Sequence, residues 1–211
     1  MYELLKESPS LITTRFNAHL TFNVLNSVQG FVAEKDPETA MELISCYSRI
    51  LRKILINGRT EATLLEELDI IRDYLEIERI CKSKGFLYYI DVDESFHTLL
   101  VPKSLLVSIV ENGIKHGIRK LDVDGWIRIK AWNEKSTNGL TTGIPVVSIS
   151  NLAPILSNEL DPVPGSVHGK VLIQSLVEDY ELKTGREVSM KMVENKIDDH
   201  FAEFEVTIRL G

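Results

Sequence analysis

The sequence predicts an α+β protein, in which a helical hairpin is followed by an α/β sandwich. Apolar residues recur at helical spacing through the first 80 residues or so, with no strand signal among them. Beyond Gly85 the period changes, and alternating apolar residues predict strands separated by helices. Helices first and a mixed segment second imply two units. We therefore predict a helical domain at residues 1–83 and an α/β domain at residues 84–211.

The composition is that of an ordinary globular protein, with 44% hydrophobic and 26% charged residues. A net charge of −7 and the absence of Lys/Arg runs argue against a nucleic-acid-binding surface. Cys46 and Cys81 are far apart and form no C-x-x-C motif, which indicates reduced thiols in a cytoplasmic protein. No apolar run reaches the ~18 residues of a membrane span.

Three helices are predicted in the first unit. The first runs from about Leu4 to Val32, and Asp36-Pro37 caps and opens the second, which stops at Asn57-Gly58. Thr63-Leu64-Leu65-Glu66 is a capping box that opens the third, which runs to about Lys82. Because the hairpin alone leaves an apolar face open, we expect it to pair with a second copy in a four-helix bundle.

The second unit is predicted to contain five strands and two helices. The strands are residues 86–92, 126–132, 145–151, 188–193 and 201–210, and the helices are 102–117 and 169–183. Residues 152–168 hold three prolines and no usable period, so they are predicted to form a loop. Its length favours a functional lid or a disordered stretch. Trp126 and Trp132 share one face of their strand by parity, which favours core packing.

The helix at 102–117 has the richest chemistry. Pro102 suits a first helical turn, and Glu111, Asn112 and Lys115 share the face opposite an apolar stripe. One interpretation is a surface helix with solvated charges. The other is a magnesium-nucleotide site, in which the carboxylate acts as base, the amide oxygen holds a hard cation and the ammonium meets phosphate.

A second group of polar residues lies on the first helix. His19, Phe22, Asn23 and Asn26 fall on one helical face. A lone helical histidine is usually structural or exposed. A neutral imidazole flanked by two asparagines is also a competent phosphoryl acceptor near pH 7.

These segments carry a resemblance to a known family. ENGIKHG at 111–117 resembles the N-box of the ATP-binding domain shared by sensor histidine kinases, DNA gyrase and MutL, and VPKSLLVSIV is similar to the lead-in of the LytS-type sensor histidine kinases. RFNAHLTFNVLN at 15–26 resembles the phosphoacceptor segment of that subfamily. LEELDIIRDYLEIERI at 65–80 resembles its link between hairpin and ATP-binding domain.

The resemblance implies the cytoplasmic catalytic portion of a two-component sensor histidine kinase that uses ATP and Mg²⁺. It implies that His19 is the phosphorylation site, that Glu111 acts as base or orients His19, and that Asn112 ligates magnesium. Lys115 would meet phosphate, and His116 would contribute to nucleotide binding. The implied partners are a second copy of the chain and a response regulator, which in this subfamily often carries a LytTR domain.

Members usually have an amino-terminal membrane sensor. The chain is therefore expected to be either a soluble fragment of such a kinase or a soluble member, with any membrane contact made through a sensor segment that this sequence does not contain.

The resemblance is looser downstream. Asn151 stands where the family has an acid that accepts a hydrogen bond from the adenine amino group; its amide oxygen can accept the same bond, and the alternative is a polar residue ending an edge strand. The family's phosphate-binding turn has three glycines, and this sequence keeps only one of them, Gly169. Val167 and Val171 replace the other two. Lys170 or His168 is a candidate phosphate contact. The alternative function is a non-catalytic dimeric signalling module with weak or no ATP binding.

Overall fold

The chain folds into two compact units, as seen in a computed structural model that describes residues 9–55, 59–81, 85–135, 143–155 and 167–211. The side chains of residues 9–19, 55 and 167–170 lie outside this description. The first unit comprises Met1–Arg59 and Leu68–Ser83, and the second comprises Thr60–Glu67 and Lys84–Gly211. The domain limits 1–83 and 84–211 stay a prediction, and the short segment 60–67 belongs to the second unit.

The described elements are five α-helices and seven strands. Helices α1 to α5 are Pro9–Ala33, Pro37–Leu55, Leu64–Cys81, Leu105–Asn112 and Val167–Thr184. Strands β1 to β7 are Glu61–Thr63, Phe86–Asp91, Leu100–Pro102, Gly125–Glu134, Ile144–Pro154, Val188–Lys196 and Phe201–Leu210.

The first unit consists of α1, α2 and most of α3. Asp36 caps α2 as predicted, because its carboxylate accepts the backbone N–H of Thr39 at 3.1 Å. Leu43 and Ile50 of α2 are fully buried, and the guanidinium of Arg49 bonds Asp73 of α3 at 2.7 Å. The predicted helix stop at Asn57-Gly58 lies outside the described residues.

The capping box at the start of α3 is confirmed. The N–H of Thr63 donates to the carboxylate of Glu66 at 2.8 Å, and the N–H of Glu66 donates to the Thr63 hydroxyl at 3.2 Å. The expectation of no strand in this part of the chain was wrong, because residues 61–63 form β1 and pair antiparallel with β3. Three residues are too few for a periodic signal, and their strand conformation comes from the partner strand.

Pro102 ends β3 and is not the first residue of a helix. It lies opposite Glu61 in the β1–β3 ladder, and α4 starts three residues later at Leu105. Proline without an N–H is tolerated at strand ends as well as in first helical turns, so the sequence was open to both interpretations. Ser104, between the two elements, takes a left-handed conformation with φ of 65°.

The second unit is built on a five-stranded sheet in the order β2-β4-β5-β7-β6. The β2–β4 pair is parallel, and the three other pairs are antiparallel. Ile127, Ile149 and Val206 point from three neighbouring strands to one face of the sheet, where α4 and α5 lie. The predicted α+β class with an α/β sandwich is thus confirmed.

Strand β5 is longer and more central than predicted. It continues through Leu152 to Pro154, paired residue for residue with β7, so the predicted loop does not begin at 152. The interpretation of Asn151 as the end of an edge strand was therefore wrong, since β5 lies between β4 and β7. The central part of the predicted loop, residues 156–166, lies outside the described residues.

Trp126 and Trp132 lie on the outer face of the sheet, away from the helices. The guanidinium of Arg128 stacks over the Trp126 ring at 5.2 Å and over the Tyr89 ring at 5.8 Å. Trp132 is 37% exposed. Their even spacing correctly predicted that the two tryptophans share one face of the strand. It could not tell the inner face from the outer one, and the predicted core packing was wrong.

Candidate functional site

The end of α4 changes from α-helical to π-helical winding. Helix α4 ends at Asn112, and Gly113–Gly117 form one π-turn in which the N–H of Ile118 bonds the carbonyls of Gly113 and Ile114. Residues 105–110 of α4 are buried, whereas Glu111 and Asn112 are half-buried. A single π-turn is uncommon and frequently marks a functional site. It places an acid and an amide at the rim of the helical layer.

Gly113 and Gly117 allow Asn151 of β5 to pack directly against this turn. A Cβ atom on Gly113 would lie 2.7 Å from the side-chain oxygen of Asn151. A Cβ atom on Gly117 would meet the Asn151 amide nitrogen and would lie 2.9 Å from the carbonyl oxygen of Leu152. The two glycines of the E-N-G-I-K-H-G segment are therefore needed for close approach of helix and strand.

Asn151 has one side-chain atom satisfied and one available. Its Nδ2 donates to the carbonyl of Leu152 at 3.1 Å, while its Oδ1 has no hydrogen-bond partner among the described residues. The residue is only 7% exposed. A buried acceptor without a donor costs free energy, about 1–3 kcal/mol, unless a ligand or water supplies the bond. The Oδ1 atom can therefore accept a hydrogen bond from a ligand or a water molecule.

A cavity of about 160 Å³ lies between the π-turn and the sheet. Its walls come from α4, the π-turn, α5 and strands β5, β6 and β7, and they are mostly apolar. The lining residues are Ile109, Asn112, Gly113, His116, Gly117, Asn151, Ala153, Ile173, Met192, Val193, Glu194, Phe204, Glu205 and Val206. An apolar cavity with a few convergent polar groups is the usual form of a small-molecule site.

The charge at the cavity is set by its polar lining residues. Burial lowers the pKa of His116, and Lys115 and Lys120 lower it further by repulsion. The imidazole is therefore neutral at pH 7 and can both donate and accept a hydrogen bond. Glu194, opposite Phe204 in the β6–β7 ladder, lies on the sheet side of the cavity.

The structure brings together three of the residues predicted from sequence. Asn112, His116 and Asn151 all line the cavity. Glu111 and Lys115 are not among its lining residues; the first is half-buried and the second is exposed. Their predicted roles stay predictions.

Three other predicted site residues, His19, Gly169 and Lys170, have side chains outside the described part of the chain. Their backbones lie in helices, His19 in α1 and the other two in the first turn of α5. Val167 is the first residue of α5, so helix occupies the positions where the family's glycine-rich turn was expected. Val171, in the same helix, is 47% exposed.

The polar groups fit a nucleotide better than a protein-held metal. No group of three or more His, Cys, Asp or Glu residues that could hold a metal ion exists within the described ranges. The amide oxygen of Asn112 is a hard donor of the kind that Mg²⁺ accepts when phosphate and water complete its shell. The Oδ1 of Asn151 fits the amino group of a base, and the apolar walls fit its ring.

Sequence reasoning missed one functional candidate, Glu67. It lies three residues after Leu64 and four before Ile71, on the apolar side of α3, and is 0% exposed. An acid at that spacing was a visible signal, because a charge on an apolar helix face must find partners. The cavity walls on β6 and β7 had no comparable signal.

Comparison with known proteins shows which family part of the chain resembles. Residues 10–86 match the model of the family described as histidine kinase. The chain is 32% identical over 124 residues to the sensor histidine kinase BtsS of Escherichia coli, which covers 59% of this chain and 22% of BtsS. The match to the histidine kinase family is thus located in residues 10–86.

The relation to the LytS type is also found. The chain is 30% identical over 141 residues to the sensor protein LytS of Staphylococcus saprophyticus, covering 66% of this chain and 22% of that protein. The expected resemblance to LytS-type sensor histidine kinases is thereby confirmed, and with it a general connection to two-component signalling. The chain spans about a fifth of the length of these relatives.

Solved structures of similar fold include the histidine kinase domain of the Erythrobacter litoralis blue-light activated histidine kinase. That chain is 10% identical, with a TM-score of 0.46 and 95% coverage of both chains. Among the described residues, no helix is both long and apolar enough to cross a membrane.

Proposed function

We propose that the chain is the catalytic portion of an ATP-dependent protein-histidine kinase. ATP would bind in the cavity beside the π-turn, and its γ-phosphoryl group would pass to His19 and then to an aspartate of a response regulator. In the first transfer the bond between the β-γ bridging oxygen and γ-phosphorus breaks, a bond between imidazole nitrogen and phosphorus forms, and ADP leaves with the electron pair.

The observation that carries this proposal is the buried Oδ1 of Asn151 at the cavity wall, which has no hydrogen-bond partner within the described ranges. It accepts a hydrogen bond from the adenine amino group, as a carboxylate does in related domains, but without a negative charge. Ile109, Ile173 and Phe204 provide apolar surface for the base. A volume of 160 Å³ accommodates the base, so ribose and phosphates extend past Asn112.

The residues of the π-turn and the end of α4 would position the phosphates. Asn112 would offer its amide oxygen to a magnesium ion bound by the phosphates, and neutral His116 would donate a hydrogen bond to them. Lys115 supplies positive charge from the exposed side of the turn, and Glu111 orients the acceptor imidazole or removes its proton. Gly169 and Lys170, at the start of α5, would meet the phosphates from the other side. Bound magnesium neutralises phosphate charge; the remaining catalysis is positioning.

Calorimetric titration with Mg-ATP tests the site. We expect heat of binding in the wild type and an affinity about tenfold weaker, or about 1.4 kcal/mol, in Asn112→Ala. Asn133→Ala is the matched control, because Asn133 is exposed on β4 and outside the cavity. Equal affinities of the two variants would remove Asn112 from the site, and no heat at millimolar nucleotide would refute ATP binding.

The same preparation tests the acceptor. With γ-labelled ATP, label should appear on the wild-type chain and be absent in His19→Gln while the calorimetric affinity stays unchanged. Label that persists in this variant excludes His19 as the acceptor.

The second candidate is a dimeric signalling module that keeps the fold without catalysis. It is favoured by the helical start of α5 where a glycine-rich turn was expected, and by a cavity smaller than the ~300–1,000 Å³ of most ligand sites. A β-branched residue such as Val171 blocks close backbone approach to phosphate. The titration separates this candidate from the kinase.

Partners and location follow from the kinase proposal. The hairpin exposes large apolar side chains on α1 and α2, which supports pairing with a second copy in a four-helix bundle. A response regulator, of the LytTR type in many relatives, would receive the phosphoryl group. This catalytic portion would lie in the cytoplasm, where ATP is available.

A further inference from the structure

Glu67 is a fully buried carboxylate that the proposed phosphotransfer does not use. It is 0% exposed and is the last residue of the second unit before α3 continues into the first. Burial raises its pKa to about 7, against the opposing effects of backbone N–H donors and of Lys103. A group so costly to ionise requires an explanation.

The carboxylate of Glu67 caps helix α4, whose N-cap residue, Ser104, lies 37 residues later in the sequence. Its Oε1 accepts the N–H of Ser104 at 2.7 Å, and its Oε2 accepts those of Leu106 at 3.2 Å and Val107 at 3.4 Å. These are the first amides of α4, which have no partner inside the helix. Ser104, the N-cap residue, makes no side-chain cap bond.

A local cap would satisfy these amides at lower cost. A serine at the N-cap ordinarily accepts a hydrogen bond from the N–H two or three residues later, with no buried charge. Here Ser104 adopts a left-handed conformation instead, and three N–H groups converge on one carboxylate, as in an anion-binding nest. The arrangement therefore does more than end a helix: it links the start of α4 to α3.

The first turn of α3 is itself held firmly in the second unit. Strand β1 immediately before it pairs with β3, and the N–H groups of Leu64 and Leu65 donate to the carbonyls of Leu99 and His97 at 2.7 and 3.1 Å. These hydrogen bonds hold the backbone of Glu67 in place within the second unit. The helix that it anchors is eight residues long and ends at Asn112, next to the cavity.

We propose that Glu67 is a positioning residue of the nucleotide site, whose carboxyl group fixes the first turn of α4 and thereby the placement of Asn112 and the π-turn. The consequence for nucleotide binding rests on the proposed function, whereas the effect on α4 can be measured without any ligand.

The proposal has a pH signature. An opening of α4 that exposes Glu67 to water returns the pKa of its carboxyl group from about 7 toward its lower ordinary value. The closed state therefore binds more protons than the open state near neutral pH, and the stability of the first turn of α4 falls as the pH rises through about 7. Lys103 is the charged side chain that acts on Glu67, and His116 at the cavity is the other group whose titration bears on the site. Because His116 is the same in all variants, the difference between their pH profiles reports Glu67.

The experiment compares Glu67→Gln with Glu76→Gln, the same substitution on an α3 residue that pairs with Arg79 outside the site. Backbone amide exchange of residues 104–117 is measured at pH 6, 7 and 8, corrected for intrinsic rates, together with Mg-ATP affinity. At pH 8 we expect exchange about tenfold faster and affinity about tenfold weaker in Glu67→Gln, with the Glu76→Gln values equal to wild type. From pH 8 to pH 6 the wild-type protection should rise about tenfold, whereas the protection of Glu67→Gln, which has no titrating group at this position, should stay unchanged.

Wild-type protection that is independent of pH, or equal to that of a folded Glu67→Gln variant, would overturn the positioning role whatever the nucleotide result. Faster exchange with unchanged affinity would overturn it too, since Asn112 would then be placed without Glu67. A wild type that binds no Mg-ATP refutes the proposed function, and the exchange data alone then decide the role of Glu67. Circular dichroism establishes whether each variant is folded. If Glu67→Gln does not fold, the pH series of the wild type still tests the proposal.

Discussion

In the proposed nucleotide site, the uncharged amide of Asn151 would take the recognition role that a carboxylate has in related domains. In a buried position, an amide costs less to desolvate than a carboxylate, and it still offers an acceptor. The Nδ2 of Asn151 is used internally by Leu152, so only Oδ1 is available to a ligand. The proposed site would therefore select a ligand that donates a hydrogen bond, as the adenine amino group does.

The substitution Asn151→Asp tests, at the scale of one residue, why an amide is preferred to a carboxylate at this buried position. The change restores the acid that the family usually has, but it removes the donor to the Leu152 carbonyl and places a carboxylate oxygen there instead. We expect the free energy of unfolding to fall by about 1–3 kcal/mol. Burial raises the pKa of the introduced acid, so the loss should be larger at pH 8 than at pH 5.

Urea unfolding at the two pH values measures this effect. The control is Asn133→Asp, because Asn133 is an exposed residue of β4. An unfolding midpoint equal to that of the control at both pH values would show that the Asn151–Leu152 bond contributes nothing.

At the scale of elements, the π-turn and β5 are fitted to each other through glycine. Gly117 has φ of −100° and ψ of −86°, and its missing side chain is the space that Asn151, Leu152 and Ala153 occupy. The interpretation of this segment as a nucleotide motif depended on its acid, amide and cation. The structure adds that its glycines are the condition for close packing on the sheet.

Gly117→Ala should therefore destabilise the protein, whereas Gly30→Ala should not. A Cβ atom on Gly117 would lie 2.9 Å from the Leu152 carbonyl oxygen and 3.3 Å from Ala153, and overpacking of this kind costs about 1–3 kcal/mol. Gly30 lies inside α1 with nothing within 4 Å, so alanine there should add about 0.5–1 kcal/mol.

Urea unfolding of the second unit gives the Gly117 value, and unfolding of the helical hairpin gives the Gly30 value. Equal stabilities of the Gly117→Ala variant and the wild type would mean that helix and strand can separate at no cost.

At the scale of the whole molecule, the hairpin has an apolar surface that is exposed within the described part of the chain. Phe22, Leu25 and Val32 of α1 and Met41 and Ile44 of α2 are each at least 48% exposed. Exposed apolar groups of this size on one hairpin are typical of an interface.

The double substitution Leu25→Glu with Ile44→Glu should convert a dimer into a monomer. Buried charges without partners oppose association strongly. Sedimentation should give about twice 23.9 kDa for the wild type and 23.9 kDa for the variant. Leu182→Glu is the control, because Leu182 is 86% exposed on α5 and outside the hairpin. A wild type that sediments as a monomer would contradict the four-helix-bundle proposal.

Much of the fold follows from local sequence. The Thr63–Glu66 capping box, the Asp36 cap and the alternation in β7 act over a few residues, so they can be read without knowledge of the partner elements. The same holds for the E-N-G-I-K-H-G segment and for the asparagine that replaces an acid. These features were sufficient to indicate a nucleotide-binding domain of the LytS-type sensor histidine kinases.

What the tertiary structure decided depends on pairs of residues far apart in the chain. The strand conformation of β1 exists only because of β3, and the outer position of Trp126 depends on which sheet face the helices cover. The cap of α4 comes from Glu67 on another helix, and the walls of the cavity come from six elements of the second unit. Such contacts leave no period or spacing in the sequence, because the free energy that selects them arises only when distant segments meet.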